Sequence, residues 1–278
     1  MKLFLRCMTQ AFLNKTVLIT GASSGIGKAL TIAMLQAGAN VAICARNQQN
    51  LDEVAQELNS EKLFTIQADI SIEADCNRFI QESYKQFGQI DILINNAGIS
   101  MRALFKDLDL DILKKSMDIN YWGTVYCCKY ALPYLLASKG SIVGISSIAG
   151  YKGLPCRTGY SSSKFAMQGF LESLRIELLH DGVNVMWVSP GFVATNIRNT
   201  ALNAQGKSQA ETPLNESSLM SAEECAHQIL KAIHKRKRTL IMTTQGKLTV
   251  WMNKFFPGFV DRQVYKHFAN EPDSPLKK

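Results

Sequence analysis

The chain has 278 residues, 46% of them hydrophobic, and a net charge of +8. This length suits one large α/β domain or two small ones, and the apolar content excludes a globally disordered chain. Membrane-spanning helices and a signal peptide are not expected, because no apolar run reaches roughly 18–20 residues and arginine interrupts the short run over residues 1–6. Seven scattered cysteines predict reduced thiols in a cytoplasmic protein, and the scattered histidines predict no structural metal.

Short apolar runs alternate with amphipathic segments along most of the chain. This order predicts an α/β protein with a doubly wound parallel sheet, a Rossmann fold, in a single domain over residues 14–245. A short helical C-terminal extension is expected over residues 246–278. The predicted strands cover residues 16–20, 40–44, 62–66, 91–94, 141–145, 183–188 and 239–242.

The predicted helices lie between these strands. The longest is expected over about residues 109–137, with Pro133 kinking or ending it. An irregular stretch over residues 192–221 is longer than ordinary loops, which favours a substrate-binding loop or lid. The other predicted helices cover about residues 25–36, 48–59 and 72–87, and a stretch ending near residue 180.

A glycine-rich turn joins the first predicted strand to the first helix. Gly21 permits the tight turn, Gly25 lets the backbone approach a diphosphate, and Gly27 lets the helix pack closely on the sheet. The helix N-terminus adds N–H donors and a positive dipole end. Glycines also mark ordinary turns, so the placement between strand and helix carries the prediction. The expected cofactor contacts here are Gly21, Ser23, Ser24, Gly25, Ile26 and Gly27.

The end of the second strand predicts the choice of dinucleotide. An acidic residue there would bind the adenosine ribose of NAD, but this segment has none. Arg46 offers a guanidinium to the 2′-phosphate of NADP instead. The alternative is a solvent-facing arginine that opens a helix. We therefore expect NADP as the cofactor, ahead of NAD.

Tyr160 and Lys164 lie one helical turn apart, so both project to one side of their helix. A free tyrosine has a pKa near ~10, too high for efficient proton transfer at neutral pH. A neighbouring ammonium stabilises the phenolate and lowers that pKa. Alone, such a pair is common on helix surfaces. Together with the glycine turn, it predicts proton transfer beside a nicotinamide.

The chain resembles the short-chain dehydrogenase/reductase family over about residues 14–245. Ser24 departs from the basic residue that some NADP-using members carry. The resemblance implies a hydride-transferring enzyme that acts on CH–OH groups, and dimers or tetramers formed through the long helices. The matching motifs are Thr20-Gly-x-x-x-Gly-x-Gly27, Asn95-Asn96-Ala97-Gly98, Asn120, Ser147, Tyr160-x-x-x-Lys164 and Pro190-Gly191 with Thr195.

The resemblance also implies a role for each matching residue. Tyr160 would be the acid–base group, Ser147 would hydrogen-bond the substrate oxygen, and Lys164 would also bind the nicotinamide ribose. Asn120 would hold a water that links Lys164 to solvent. Asp69 would bind the adenine, although a position near a helix N-cap explains it nearly as well. The remaining implied cofactor contacts are Asn96, Ala97, Gly98, Pro190, Gly191, Val193 and Thr195.

Three segments, 101–105, 148–156 and 192–221, are expected to form the substrate pocket. Their side chains are mostly apolar, which favours a hydrophobic small-molecule substrate. The expected pocket residues are Met101, Leu104, Phe105, Ser147, Ile148, Tyr151, Leu154, Phe192, Val193, Ile197, Leu214, Leu219 and Met220.

The last segment of the chain holds the excess positive charge. Residues 231–278 contain eleven Lys or Arg and three Asp or Glu, whereas the earlier residues balance. Two interpretations stay open: short helices packed over the pocket, or a peripheral membrane contact aided by the basic residues at 235–238. The apolar residues at helical spacing are Leu248, Trp251, Met252, Phe255, Phe256 and Phe259, followed after Pro257-Gly258 by Val260, Val264, Tyr265 and Phe268.

The leading hypothesis is an NADP-dependent oxidoreductase that interconverts a hydrophobic secondary alcohol and its ketone. One alternative is a non-catalytic dinucleotide-binding regulator, which the loss of Tyr160 or Lys164 would have favoured; both are present. The other is a peripheral membrane protein dominated by its basic tail. Nucleic acid is not an expected partner, because the body lacks an aromatic and basic stripe.

Overall fold

The computed structural model describes residues 11–209 and 219–277, so Leu214 and residues 1–6 lie outside the described residues. Seven described strands are β1 (Thr16–Thr20), β2 (Asn40–Ala45), β3 (Leu63–Gln67), β4 (Ile92–Asn95), β5 (Ser141–Ile145), β6 (Asn184–Ser189) and β7 (Thr239–Ile241). They form one sheet in the order β3-β2-β1-β4-β5-β6-β7, and every neighbouring pair is parallel. The predicted Rossmann fold is confirmed.

Helices cover both faces of this sheet. The described helices are α1 (Gly25–Gln36), α2 (Gln48–Leu58), α3 (Glu73–Phe87), α4 (Leu110–Met117), α5 (Gly123–Ser138), α6 (Thr158–Glu177), α7 (Ala222–His234), α8 (Thr244–Phe255) and α9 (Pro257–Ala269). In β1, Val17 and Ile19 join one core with α1, α2 and α7, while Leu18 joins the opposite core with α3, α5 and α6. Because both faces are buried, the strands are nearly continuous apolar runs.

The parallel arrangement brings the predicted site residues to one edge of the sheet. Each strand ends at that edge, and the segment after it carries a motif. The glycine turn follows β1, Arg46 follows β2, Asp69 follows β3, Asn96 follows β4, Ser147 follows β5 and Pro190 follows β6. In sheets of this type, ligands bind beside the carboxyl ends of the strands, where the strand order reverses.

The long helix predicted over residues 109–137 is divided. A π-helical turn at Asp118–Trp122 separates α4 from α5, and π-turns occur frequently at functional sites. Pro133 does not end α5, which continues to Ser138. A proline inside a helix costs about 3 kcal/mol or more. Ala131 and Leu135, two residues to either side of it, are fully buried, so the helix is held by packing through this point.

The C-terminal helices α8 and α9 pack back onto the body. They are separated at Phe256, and Pro257 opens α9 at a position that proline favours. Asn253 donates a hydrogen bond to the main-chain oxygen of Tyr151 at 3.1 Å. Lys152 forms an ion pair with Asp261. None of the described helices is both long and apolar enough to traverse a lipid bilayer.

The basic run at residues 235–238 lies at the opposite edge of the sheet from α8. This run precedes β7, whereas α8 follows it. The Arg236 guanidinium donates to the main-chain oxygens of Lys139 and Gly182, which precede β5 and β6. The basic run and the apolar residues of α8, which the membrane interpretation joined, therefore lie at opposite ends of β7.

Candidate active site

A cavity of about 1550 Å³ lies at the carboxyl edge of the sheet. It is lined at one end by the glycine turn and Arg46, and in its middle by Ser147, Tyr160 and Lys164. The predicted dinucleotide site and the predicted proton-transfer residues therefore share one continuous space.

The glycine turn has the shape of a phosphate cradle. Gly21 has a φ of +63°, and a Cβ added to it would lie 2.6 Å from the Ala97 Cα. A Cβ added to Gly27 would lie 2.4 Å from the Gly21 oxygen. Gly27 does not line the cavity but packs against the turn, while Ser23, Ser24, Gly25 and Ile26 line it. The first N–H groups of α1 have no partners within a helix, so this end of the cavity fits a diphosphate.

Asn96 fixes the glycine turn to the end of β4. Its side-chain nitrogen donates to the main-chain oxygens of Thr20 and Gly21, each at 2.9 Å. Its own N–H and that of Ala97 donate to the Thr20 hydroxyl at 3.1 Å. Thus Asn96 holds the turn in place through its side chain and main chain together.

The other predicted cofactor contacts surround this end of the cavity. Arg46 is exposed at its rim, so its guanidinium is available to a ligand. One Asp69 oxygen accepts from the N–H and hydroxyl of Ser71, so this carboxylate also stabilises the turn before α3. The remaining predicted contacts line the cavity as well: Asn96, Ala97, Gly98, Pro190, Gly191, Val193 and Thr195.

Tyr160 and Ser147 form the centre of the site. Tyr160 projects from the first turns of α6, and Ser147 caps a 3₁₀ turn at Ile148–Gly150 by accepting from the Ala149 N–H at 3.1 Å. Burial raises the pKa of Tyr160, while Ser147 and the charge of Arg157 lower it. Both Ser146 and Ser147 line the cavity, but the Ser146 hydroxyl accepts from Gln168 at 2.8 Å, whereas Ser147 is the serine that hydrogen-bonds Tyr160.

Lys164 is buried at the base of the site. Its ammonium donates to the Ile145 main-chain oxygen at 2.8 Å and lies 5.8 Å from the centre of the Tyr160 ring. Loss of hydration on burial lowers the pKa of Lys164 to about 8. In the protein alone, the groups that lower the pKa of Tyr160 are therefore Ser147 and Arg157, rather than the Lys164 expected from the sequence.

Asn120 lies in the π-helical turn and acts as a clamp. Its side-chain oxygen accepts from the Ile99 N–H at 2.8 Å. Its side-chain nitrogen donates to the Ile99 oxygen at 3.0 Å and to Ser163 at 2.9 Å. Ser163 in turn donates to the Tyr160 main-chain oxygen at 2.8 Å. The Asn120 side chain therefore positions α6 through Ser163, and its oxygen keeps a second lone pair.

The far end of the cavity holds only part of the predicted substrate pocket. Met101, Leu104 and Phe105 do not line it, and neither does Tyr151. The Tyr151 hydroxyl instead accepts from the Trp187 indole at 2.8 Å, which turns the ring toward the core beneath α6. The predicted residues that do line the cavity are Ser147, Ile148, Leu154, Phe192, Val193, Ile197, Leu219 and Met220.

The C-terminal helices complete the wall of this far end. The sequence had left open whether these helices cover the pocket. The residues of α8 and α9 that line the cavity include Leu248, Met252, Phe259, Val260, Gln263, Val264, His267 and Phe268. Arg157 also lines it and was not predicted. Its spacing of three residues from Tyr160 is a sequence signal, because side chains so spaced at a helix start can face one site.

Known proteins are similar to this chain in sequence and in fold. The short chain dehydrogenase family matches residues 15–206. A relative from Mus musculus, dehydrogenase/reductase SDR family member 7B, is 34% identical over 98% of this chain and 87% of its own length. An 11-beta-hydroxysteroid dehydrogenase-like protein 4A from Arabidopsis thaliana is 35% identical over 88% of this chain and 81% of its own.

Solved structures agree in fold. A short chain dehydrogenase/reductase from Burkholderia phymatum in complex with NAD has a TM-score of 0.80 at 20% identity, covering 91% of this chain and 96% of that one. An alcohol dehydrogenase from Thermococcus sibiricus complexed with 5-hydroxy-NADP has a TM-score of 0.72 at 24% identity, covering 82% and 95%. The chain therefore belongs to the short-chain dehydrogenase family and is an NAD(P)-dependent oxidoreductase that acts on CH–OH groups.

Proposed function

We propose that the protein uses NADP to interconvert a hydrophobic secondary alcohol and its ketone, with Tyr160 as the acid–base group. The observation that carries this proposal is the shared cavity. The glycine turn lies at one end, Ser147, Tyr160 and Lys164 lie in the middle, and apolar side chains of α8 and α9 line the far end. A substrate that fills the far end presents its oxygen to Tyr160.

A bound nicotinamide supplies the hydride in reduction and accepts it in oxidation. In the reductive direction, Ser147 hydrogen-bonds the ketone oxygen and the Tyr160 hydroxyl donates its proton to that oxygen. In the oxidative direction, the Tyr160 oxygen takes the proton back. The Lys164 ammonium binds the nicotinamide ribose, and Asn120 holds α6 through Ser163.

The proposal is tested with a panel of apolar ketones and secondary alcohols. Consumption of NADPH with a hydrophobic ketone, and formation of the corresponding alcohol, are the expected results. Small polar ketones serve as the comparison, because they cannot fill an apolar cavity. If every apolar ketone and alcohol left the cofactor unchanged, the proposed reaction would be wrong.

The preference for NADP rests on Arg46, the exposed cation at the adenosine end of the cavity. Arg46→Gln is expected to weaken NADPH binding by about 1.5–3 kcal/mol, the range for a hydrogen bond to a charged group. NADH affinity should barely change, because NADH lacks the 2′-phosphate. Calorimetry with both cofactors measures this difference. The loop stays intact because Gln67 bonds the Arg46 main-chain oxygen, not its side chain.

Lys28→Gln is the matched control for charge, since Lys28 pairs with Glu57 on the outside of α1 and does not line the cavity. It should bind both cofactors as the unmutated protein does. Equal affinity of the unmutated protein for NADPH and NADH would contradict the preference.

We also propose a peripheral membrane contact through the outer face of α8 and the start of α9. Trp251, Phe255 and Phe256 are 57%, 56% and 56% exposed, so they form an apolar face in contact with water. Exposed apolar patches of this kind mark protein or membrane contacts. Exposed cations on the same two helices are Lys247, Lys254, Arg262 and Lys266, and Lys254 lies 5.8 Å from the centre of the Phe255 ring. Aromatic side chains with flanking cations suit the surface of an anionic bilayer.

A triple variant, with Trp251, Phe255 and Phe256 changed to Gln, is expected to lose most binding to anionic liposomes in co-sedimentation. Removal of residues 246–278 is a poorer test, because it also removes the cavity wall. The control changes Ile176 and Leu179 to Gln, which are 65% and 66% exposed at the C-terminal end of α6. Equal liposome binding by the triple variant and the unmutated protein would refute the contact.

We further propose that two or four copies associate through α5 and α6, the helices implied by the family resemblance. Trp122, at the end of the π-helical turn that leads into α5, and Phe165 on α6 support this, because both are more than two-fifths exposed. Light scattering that returned the mass of a single chain would contradict it. The cytoplasmic location expected from the cysteines stays a prediction.

A further inference from the structure

Arg157 is a cation at the substrate end of the cavity. It occupies the N-cap position of α6, three residues before Tyr160, and both side chains line the same space. Whatever lies against Tyr160 therefore lies close to this guanidinium as well.

The charge of Arg157 is balanced only in part, because the Glu271 carboxylate that favours it already pairs with Arg102. Arg102 and Glu271 form a buried ion pair at 3.2 Å, with side chains 11% and 4% exposed. Within the described residues Arg157 itself makes no ion pair, and two buried atoms lack a hydrogen-bond partner, the Arg157 Nη1 and the Glu271 Oε1. Burial lowers the pKa of Arg157, but an arginine stays charged at neutral pH. The Glu271 carboxylate thus lies near two cations, Arg102 and Arg157.

The face of the Arg157 guanidinium is covered by protein, whereas its edge is not engaged. Its central carbon lies 4.7 Å from the centre of the Phe268 ring. The N–H donors of a guanidinium point outward in its plane, so stacking on the Phe268 ring does not use them. Stacking therefore fixes where the cation sits but does not satisfy its donors.

A second stacked arginine on the same helix shows the difference between this arrangement and a structural one. Arg175 lies 4.7 Å from the centre of the Trp187 ring. Its terminal nitrogens donate to Glu172 and to the Arg238 main-chain oxygen. Arg175 does not line the cavity. The two arginines have the same stacking distance. Among the described residues, both terminal nitrogens of Arg175 have hydrogen-bond partners, although its Nε is buried without one, whereas no side-chain hydrogen bond joins the Arg157 guanidinium.

Arg157 is a partly buried cation that shares the Glu271 carboxylate with Arg102, so a ligand that supplied a further anionic group would stabilise it. We propose that Arg157 binds an anionic oxygen group, a carboxylate or phosphate, that the substrate carries close to its reacting carbon. The cavity wall beyond it is mostly apolar, with Leu154, Phe259 and Val264 among its residues. The substrate class is therefore an amphiphile with an anionic head and an apolar chain. This inference rests on the proposed function, since it describes the substrate of the same site.

The test measures equilibrium binding, so it does not depend on turnover. Decanoate, decyl phosphate and decanol are titrated by calorimetry into the full chain saturated with NADPH. At least one of the two anions is expected to bind about 10–100-fold more tightly than decanol. This ratio corresponds to the free energy of a hydrogen bond to a charged group. The better anion identifies the head group. Equal binding of all three ligands by the unmutated protein would overturn the inference without any variant.

Variants then assign the preference to Arg157. Arg157→Met should bind the anions no better than decanol, while its affinity for decanol stays close to that of the unmutated protein. Arg157→Lys should recover part of the preference, because it restores the charge without the planar donors. Arg175→Met is the matched control, which should keep the full preference. An anion preference that persisted in Arg157→Met would overturn the assignment. Failure of the proposed reaction would appear separately, as the absence of turnover in the ketone panel.

Discussion

Tyr160→Phe is expected to lower the turnover number by about 10²–10⁴-fold or more, the contribution of a positioned acid–base group. The substitution removes the hydroxyl that exchanges a proton with the substrate oxygen and keeps the ring. Ring packing against Met101 and its neighbours should be unchanged. Cofactor binding should therefore be retained, and calorimetry with NADPH measures that directly. Turnover is measured with the best ketone from the panel.

The matched control is Tyr130→Phe. The Tyr130 hydroxyl donates to Glu73 at 2.7 Å on the surface of α5, away from the cavity. This variant loses one surface hydrogen bond and should turn over as the unmutated protein does. Turnover of Tyr160→Phe within a few-fold of that of Tyr130→Phe would remove Tyr160 from the mechanism.

Lys164→Met is expected to reduce both cofactor affinity and turnover, because the ammonium is the cation that would hold the nicotinamide ribose. The pKa of Lys164 is lowered to about 8, so the unmutated protein carries this charge below pH 8 and loses it above. Cofactor affinity should therefore be constant from pH 7 to about 8. Above that pH it should fall by about tenfold per pH unit, because binding then requires uptake of a proton.

NADPH dissociation constants measured from pH 7 to pH 10 test this dependence. Lys164→Met should bind more weakly at pH 7 and show no fall near pH 8. Thermal unfolding of both proteins checks that the variant is folded. If the unmutated protein binds NADPH equally at every pH, or if the variant keeps the same fall, another group is responsible for cofactor binding.

Much of the fold was predictable because local signals agreed with the packing. Every predicted strand is present within about two residues, since strands buried on both faces must be apolar throughout. The glycine turn was also predictable, because only glycine fits at position 21, where a Cβ would meet the Ala97 backbone. The motifs after successive strands meet because parallel strands end at one edge.

Other features depended on contacts that spacing does not encode. The sequence of the π-helical turn at Asp118–Trp122 does not distinguish it from a continuous α-helix. Tyr151 was predicted in the pocket, but a hydrogen bond from Trp187, far along the chain, turns it to the core. The apolar spacing of α8 and α9 indicated which residues share a face. It did not indicate that one face closes the cavity and another faces water.

The C-terminal wall of the cavity has a consequence for how the site is made during synthesis. Side-chain hydrogen bonds and ion pairs hold this wall to the body. They join Asn253 to Tyr151, 102 positions apart, Asp261 to Lys152, 109 apart, and Glu271 to Arg102, 169 apart. A ribosome synthesises about 5–20 residues per second, and the N-terminal part of a chain generally folds first. The Rossmann body therefore emerges with Arg102 and Arg157 uncovered, and α9 arrives only after every strand has been made. A nascent chain stalled before α8 would have a dinucleotide cradle but no closed substrate chamber. Cofactor affinity and substrate turnover should consequently be acquired at different chain lengths.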